Sequence, residues 1–143
     1  MTSNRHFLMM SEAKAASKQS NCKRRQVGVV IVRDENIIIS AANGTKDGIE
    51  SCKQGSCVRC SSNIAQGEAY DSCICLHAEQ SAIAKAAKSG VNIDGSILYS
   101  TLRPCLPCLN LCLHCGIKQI IYDEYIEFRS EVELAYIQLL DSG

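Results

Sequence analysis

Two kinds of hydrophobic pattern alternate along the chain. The β-branched runs 26–32 (QVGVVIV) and 36–42 (NIIISAA) flank the polar pair Asp34-Glu35, which predicts a β-hairpin. Apolar residues at helical spacing, in segments rich in helix-forming residues, predict helices before and after this hairpin. The predicted helices are 7–19, 78–89, 104–115 and 131–140, and two further short strands are predicted at 96–100 and 119–122.

The order of these elements predicts the class of fold. Strands that alternate with helices form a layered α/β sheet with helices on both faces. A chain of 143 residues is long enough to bury one hydrophobic core, so we expect a single domain over residues 1–143. Residues 43–75 are the exception, because they are rich in Gly, Ser, Asn and Lys and contain five cysteines. A loop of this length is unusual in a compact domain, and a bound metal would explain it.

Charge and cysteine content narrow the classes of function. Lys plus Arg and Asp plus Glu both number 15, a balance that argues against a protein that coats nucleic acid or an anionic membrane. Ten of the 143 residues are cysteine. Cysteines form disulfides in secreted proteins, whereas in cytosolic proteins they are metal ligands or buried thiols.

The N-terminal sequence favours the metal interpretation. The first ten residues (MTSNRHFLMM) contain no apolar run of signal-peptide length. The chain also has no uninterrupted apolar stretch of about 18 residues, so we expect no membrane span. We therefore expect a cytoplasmic protein, or one in the host cytoplasm if it is viral, with reduced cysteines.

Two short motifs stand at predicted helix starts. The first is His77-Ala78-Glu79, and the second is the segment 104–108 (PCLPC). His77, Cys105 and Cys108 offer one nitrogen and two sulfur atoms, the ligand set of a catalytic zinc ion that keeps a fourth position for water. Zinc lowers the pKa of that water toward neutrality, and Glu79 is placed to move its proton. The combined pattern, H-x-E followed by P-C-x-x-C, is the signature of zinc deaminases.

Other cysteines and histidines have plainer interpretations. Cys112 and Cys115 share a predicted helix face with Cys105 and Cys108, but four ligands spread over about 15 Å of one helix cannot reach one cluster. They are interpreted as small apolar core residues. His6 and His114 lack the companion glutamate and cysteine pair that His77 has, and they are interpreted as surface or core residues.

From about Lys14 to Tyr122 the chain resembles the cytidine deaminase-like superfamily. Within it the chain is most similar to the deoxycytidylate (dCMP) deaminase branch, which includes the competence-associated ComE-type proteins. Besides the two motifs above, the resemblance rests on four segments, which are 22–28 (CKRRQVG), 43–45 (NGT), 52–60 with its cysteines, and 67–71 (GEAYD).

The resemblance implies a fold and a reaction. The fold is a three-layer α/β/α sandwich with a central mixed sheet of about five strands. The reaction is hydrolytic deamination of dCMP to dUMP, which supplies thymidylate synthesis. In it, zinc-bound hydroxide attacks C4 of cytosine, and Glu79 carries the proton to N3 and to the leaving ammonia. The resemblance also implies that Asn43 binds the sugar, that the Ala78 backbone contacts the base, that Arg25 binds the phosphate and that Tyr122 lines the base pocket.

A second zinc site is predicted from the remaining cysteines. Cys57 and Cys60 have the C-x-x-C spacing of metal ligands, and four thiolates close a structural zinc site. The resemblance implies such a site in this part of the chain. The ligands are expected to be four of Cys22, Cys52, Cys57, Cys60 and Cys73, and the sequence leaves open which four. Cys75 is a further possible ligand.

Rival functions and partners follow from the same resemblance. The alternatives are a deaminase of dCTP, cytidine or transfer-RNA adenosine, and a non-catalytic module stabilised by zinc. Neither a membrane nor a nucleic acid is expected as a partner. The resemblance implies a homo-oligomer, from dimer to hexamer, and regulation by dCTP and dTTP.

Overall fold

The chain folds into alternating helices and strands, as the hydrophobic pattern predicts. The computed structural model describes residues 3–63, 65, 68 and 72–141. In chain order its regular elements are α1 (Ser3–Ser17), β1 (Gly28–Arg33), β2 (Asn36–Ala42), α2 (Ala78–Ser89), β3 (Ile97–Leu102), α3 (Leu106–His114), β4 (Gln119–Glu124) and α4 (Ser130–Asp141). Each corresponds to a predicted element, with ends displaced by a few residues.

The four strands form one mixed sheet in the order β2-β1-β3-β4. β1 runs antiparallel to both β2 and β3, with Val29 opposite Ala41 on one side and Ser100 on the other. β3 and β4 run parallel. Within the described residues the sheet has four strands and not the expected five or so. After β4 the chain continues into α4, whose apolar residues recur at helical spacing.

Helices cover both faces of the sheet, which confirms the three-layer architecture. Successive residues of a strand point to opposite faces. Val29 and Ile31 of β1 therefore pack with Ala82 of α2 and Cys112 of α3 in one buried cluster. The alternate β1 residues, Val30 and Val32, pack on the other face in a second cluster with Met9, Met10 and Ala13 of α1.

Helix α1 lies directly against the start of β1. A Cβ atom added at Gly28 would collide with the carbonyl oxygen of Ala13 and with the backbone nitrogen of Ser17. Both atoms belong to the helix backbone, so no side-chain rearrangement could relieve the collision. Glycine at this position thus sets the distance between α1 and the sheet.

The cysteine-rich segment has little regular structure. Among its described residues it contains one 3-10 turn, Cys52–Gln54. Gly44 and Leu76 join the two ends of the segment by a pair of backbone hydrogen bonds, of 3.1 and 2.9 Å. Gly67, Ala69, Tyr70 and Asp71, which carry part of the family resemblance, lie outside the described residues.

None of the helices that the structure describes is both long and apolar enough to cross a bilayer.

We expect Gly28→Ala to destabilise the fold, because the added methyl group forces α1 away from β1. Overpacking of this kind costs about 2–3 kcal/mol, which urea denaturation would measure. Gly48→Ala is the matched control, since a Cβ there meets nothing within 4 Å and costs only the strain of a positive φ, about 1 kcal/mol. Equal losses in the two variants would contradict close packing of α1 at Gly28.

Candidate functional site

The three predicted ligands of the catalytic metal meet where two helices begin. His77 is the N-cap residue of α2 and Cys105 is the N-cap residue of α3. Both have extended backbone angles, with ψ of 157° and 164°, so their side chains stand just outside the helices. Cys108 lies in the first turn of α3. The Nδ1 atom of His77 is 3.4 Å from the Sγ atoms of both Cys105 and Cys108.

The chemistry of this trio fits a zinc ion. The three donor atoms lie within 4.8 Å of one another. A hydrogen bond from Cys108 and the nearby His77 lower the pKa of Cys105 to about 5, against the effect of burial. The bond to Cys105, together with burial, raises the pKa of Cys108 above its ordinary value. Without a metal, Cys105 thus favours the thiolate form and Cys108 the thiol form, and a divalent cation at this point would stabilise two thiolates.

Glu79 is buried in the first turn of α2, two residues after His77. Only 4% of its surface is exposed, and burial raises the pKa of its carboxyl to about 7. Glu79 lines the same cavity as His77 and Cys105. The arrangement therefore places a carboxyl group beside the metal-ligand trio in a site where it can hold a proton.

The cavity that contains these groups is open and basic. Its volume is about 280 Å³, near the lower end of the range of roughly 300–1,000 Å³ for small-molecule sites. Among the described residues that line it, Glu79 is the one acidic residue, and four are arginines. These are Arg24, Arg25, Arg59 and Arg103. Such a cavity favours an anionic ligand.

The four predicted substrate-contact residues are placed differently. Asn43, Ala78 and Arg25 line the cavity. The Asn43 side chain is held there by the backbone, because its Nδ2 donates to the Arg25 carbonyl at 2.7 Å and its Oδ1 accepts from Val27 N–H at 2.9 Å. Tyr122 lies on β4, with 37% of its surface exposed, and is not among the described residues that line the cavity. All four substrate roles stay predictions.

Arg103 joins the metal-ligand segment to the last helix. Its guanidinium donates to both carboxylate oxygens of Glu133 on α4, at 2.8 and 2.9 Å. It also lies against the rings of Tyr125, Phe128 and Tyr136, 4.2–5.0 Å from their centres. The Tyr136 hydroxyl donates to the carbonyl oxygen of Pro104, next to Cys105, at 2.9 Å. α4 thus supports the residues that lead into the metal-ligand trio.

A second group of cysteines lies beside the first site. Six thiols cluster there, and all except the half-buried Cys73 are buried. They comprise the five cysteines predicted as second-site ligands together with Cys75. They form two overlapping sets of four, within each of which the sulfur atoms lie within 4.8 Å of one another. The sets are Cys22, Cys52, Cys60 and Cys75, and Cys57, Cys60, Cys73 and Cys75.

Backbone N–H groups point at sulfur atoms in both sets. Lys23 N–H donates to Cys52 Sγ at 3.2 Å. Although burial opposes it, hydrogen bonds from the backbone of Cys60 and Ile74 lower the pKa of Cys57 to about 6. These bonds favour thiolate over thiol, the form that binds metal.

The burial of Arg59 escaped sequence analysis. Arg59 stands between two cysteines and is exposed by only 5%, and the sequence contains no signal that this arginine is buried. Cys75, which the sequence indicates as a further possible ligand, belongs to both cysteine sets. Cys112 is buried in the core and Cys115 packs against it, as predicted.

The chain belongs to the family of cytidine and deoxycytidylate deaminases, defined by their zinc-binding region. The family model matches residues 2–124. The metal-ligand trio and Glu79, described above, lie within this range. The family is thus zinc-binding, which agrees with the donor chemistry of the site.

Named relatives lie in the same branch of the family. The deoxycytidylate deaminase of Schizosaccharomyces pombe is 41% identical over 113 residues, which are 79% of this chain and 35% of that protein. ComE operon protein 2 of Bacillus subtilis is 33% identical over 121 residues, 85% of this chain and 59% of that protein. The chain therefore spans about a third of the length of the fission-yeast relative and somewhat over half of the bacterial one.

A solved structure shares the fold over nearly the whole chain. The dCMP deaminase of the cyanophage S-TIM5, crystallised in complex with dCMP and dUMP, superposes with a TM-score of 0.75 at 31% identity. The match covers 97% of this chain and 94% of the phage chain. The cytidine deaminase-like fold expected from the sequence is confirmed.

The Arg103–Glu133 pair predicts a pH-dependent stability. Because Arg103 holds the pKa of Glu133 at about 2, below the ordinary 4.5, the carboxylate stabilises the fold above pH 4.5 and loses this effect as the pH falls toward 2. The unfolding free energies of the wild type and Glu133→Gln should therefore differ most above pH 5 and converge near pH 2. Urea titrations at a series of pH values measure this difference.

Glu131→Gln is the control for this experiment. Glu131 is exposed and pairs with the exposed Arg129, at 3.4 Å, a kind of ion pair that contributes little. A constant difference between Glu133→Gln and the wild type across the pH range would show that the carboxylate charge is not what stabilises the pair.

Proposed function

We propose that this chain is a zinc-dependent hydrolase that deaminates dCMP to dUMP. The observation that carries the proposal is the buried Glu79 carboxyl, which shares one cavity with His77 and Cys105 at the start of two helices. A purely structural metal site needs no buried acid beside it. The deoxycytidylate deaminases among the relatives, and the phage enzyme crystallised with dCMP and dUMP, support this choice of substrate.

The metal supplies one part of the chemistry. His77, Cys105 and Cys108 would hold zinc, which lowers the pKa of a bound water toward neutrality. In the overall reaction water adds its oxygen to C4 of the cytosine ring, the bond from C4 to the amino nitrogen breaks, and ammonia leaves. The α2 and α3 N-termini, which carry partial positive charge, favour the anionic groups of the site.

Glu79 would supply the proton transfers. Its carboxyl is the acidic group of the cavity, and its burial excludes bulk water from the proton that it holds. It would accept a proton from the attacking water, donate it to N3 of the pyrimidine and assist the departure of ammonia. Ala78, which is 1% exposed in the same turn, would present its backbone to the base.

The arginines of the cavity favour a nucleotide over a nucleoside. Three of the arginines that line the cavity are Arg24, Arg25 and Arg59. The described lining contains one acidic residue, so its arginines outnumber its acidic residues. Arg25 is held by Glu124, with 3.4 Å between Nη1 and the carboxylate, and stays partly exposed. An arginine placed in this way can bind the substrate phosphate through two parallel hydrogen bonds. Supply of dUMP for thymidylate synthesis, regulation by dCTP and dTTP, and oligomeric assembly stay predictions.

Ammonia release tests the proposal directly. The zinc-loaded protein is incubated side by side with dCMP, dCTP, deoxycytidine and a transfer-RNA anticodon hairpin, and turnover of dCMP is expected to be the fastest. Activity on the hairpin alone would move the protein to RNA editing. Silence on every substrate with zinc bound would favour the non-catalytic alternative.

Replacement of the proposed proton carrier should abolish turnover without loss of metal. General acid–base catalysis contributes about 10²–10⁴-fold, so Glu79→Gln should lose at least that factor in kcat with dCMP. Zinc content, measured by elemental analysis, should not change. Glu12→Gln, on the exposed surface of α1, is the matched control and should retain full activity. Full activity of Glu79→Gln would remove Glu79 from proton transfer.

Arg25→Ala should weaken selection for the phosphate. We expect kcat/KM for dCMP to fall about tenfold or more, equivalent to roughly 1.4 kcal/mol of binding, whereas the slow reaction of deoxycytidine should not change. Arg33→Ala, at the far end of β1 from Gly28, is the control. An equal loss with both substrates would show that Arg25 shapes the site and does not bind the phosphate.

A further inference from the structure

The six clustered cysteines are too many for one metal ion. Zinc in a structural site takes four thiolates in a tetrahedron. A single ion in the first set would leave Cys57 and Cys73 without a metal, and one in the second set would leave Cys22 and Cys52. Cys52 and Cys57, one from each set, are fully buried, so each set has a ligand in the interior of the fold.

The two sets share two residues. Cys60 and Cys75 belong to both groups of mutually close sulfur atoms. Cys60 is in hydrogen-bond contact with Cys57 of one set and Cys52 of the other, so it lies between them. Two four-coordinate ions that share two ligands require six thiolates in total, which is the number that the cluster contains.

The distances between sulfur atoms suit tetrahedral zinc. A Zn–S bond of about 2.3 Å places two sulfur atoms of one tetrahedron about 3.8 Å apart. The Sγ atoms of Cys57 and Cys73 are 3.6 Å apart, and those of Cys60 and Cys73 are 4.0 Å apart. Both separations far exceed the S–S bond length of about 2.05 Å in a disulfide, and all ten cysteines are free.

Both halves of the cluster accept hydrogen bonds from backbone N–H groups. Lys23 donates to Cys52 in one half, and the backbone of Ile74 donates to Cys57 in the other. Bonds of this kind orient metal-bound thiolates. Their presence on unshared ligands of both sets argues that each set binds an ion.

We propose that the six cysteines bind two zinc ions in one binuclear cluster, with Cys60 and Cys75 as the bridging thiolates. All six cysteines bind as thiolates, so those that are thiols before loading release their protons to solvent, and the loaded cluster has a net charge of −2. Together with the ion at His77, Cys105 and Cys108, the chain would then bind three zinc ions. The cluster would take the place of a hydrophobic core in a segment with little regular structure.

The metal content of the intact chain tests this proposal first. Native mass spectrometry and elemental analysis of protein purified with zinc should give three zinc ions per chain. Cys105→Ser should lower the count to two, and Cys115→Ser, a partly buried thiol outside both sites, should leave it at three. Two zinc ions in the wild-type chain, one of which is lost in Cys105→Ser, would overturn the binuclear cluster. This readout is independent of deamination, so it does not depend on the proposed function.

Two variants separate the binuclear cluster from a single site. Cys22 and Cys73 belong to different sets, so Cys22→Ser and Cys73→Ser should each weaken one ion and lower the count by one. If only one of the two sets binds zinc, only one of these substitutions would lower the zinc count. A lower count in just one of the two variants would therefore contradict the proposal.

Cadmium exchange tests the bridge itself and requires no substitution. Protein loaded with ¹¹³Cd should give two resonances from the cluster that are split by coupling between the two metals through the shared sulfur atoms. Two unsplit resonances, or one resonance for the whole cluster, would overturn the bridged arrangement.

Discussion

The structure depends on the meeting of two helix N-termini at one point. α2 and α3 follow different strands of the sheet, yet His77 and Cys105, the residues that begin them, lie 3.4 Å apart at their ligand atoms. Because both residues are N-caps with extended backbone, their side chains are free of the helix geometry and can turn toward a shared ion. The partial positive charge of both helix ends favours thiolate there. Three features hold His77 and Cys105 close together. They are the strand order of the sheet, the packing of α2 on the sheet and the contact of α4 with the residues before α3.

Charged side chains surround the point where the two helix N-termini meet. Glu79 is buried in the first turn of α2, two residues after His77. Arg103 precedes Pro104 and Cys105, and its guanidinium is directed away to Glu133 and three aromatic rings. The acid thus lies in the cavity while this arginine is neutralised by its partner. Three other arginines, Arg24, Arg25 and Arg59, also line the cavity and give it positive character.

Local pattern predicted the elements and the residues of the candidate metal site, and long-range contacts determined the rest. His77, Glu79, Cys105 and Cys108 could be found because their spacing within two short motifs carries the chemistry. β1 could be predicted as a strand from its continuous apolar run, but its place between β2 and β3 depends on pairing with residues about 70 positions away. The burial of Arg59 and the partner of Arg103 could not be predicted, since a charged residue carries no periodic signal of what it meets. For the cysteines, composition predicted a metal site, but only three-dimensional proximity shows that six thiols form two overlapping sets.

The backbone pairing of Gly44 with Leu76 makes the segment between them an appendage that leaves and rejoins the fold at one place. The entropy of closing such a loop grows only with the logarithm of its length, about 0.6 kcal/mol for each doubling. An insertion between these two residues that leaves Arg59 and the cysteines in place therefore costs little in loop entropy. The architecture thus separates the sheet and the two helix N-termini, which have fixed geometry, from a neighbouring loop whose length can change at little cost in stability.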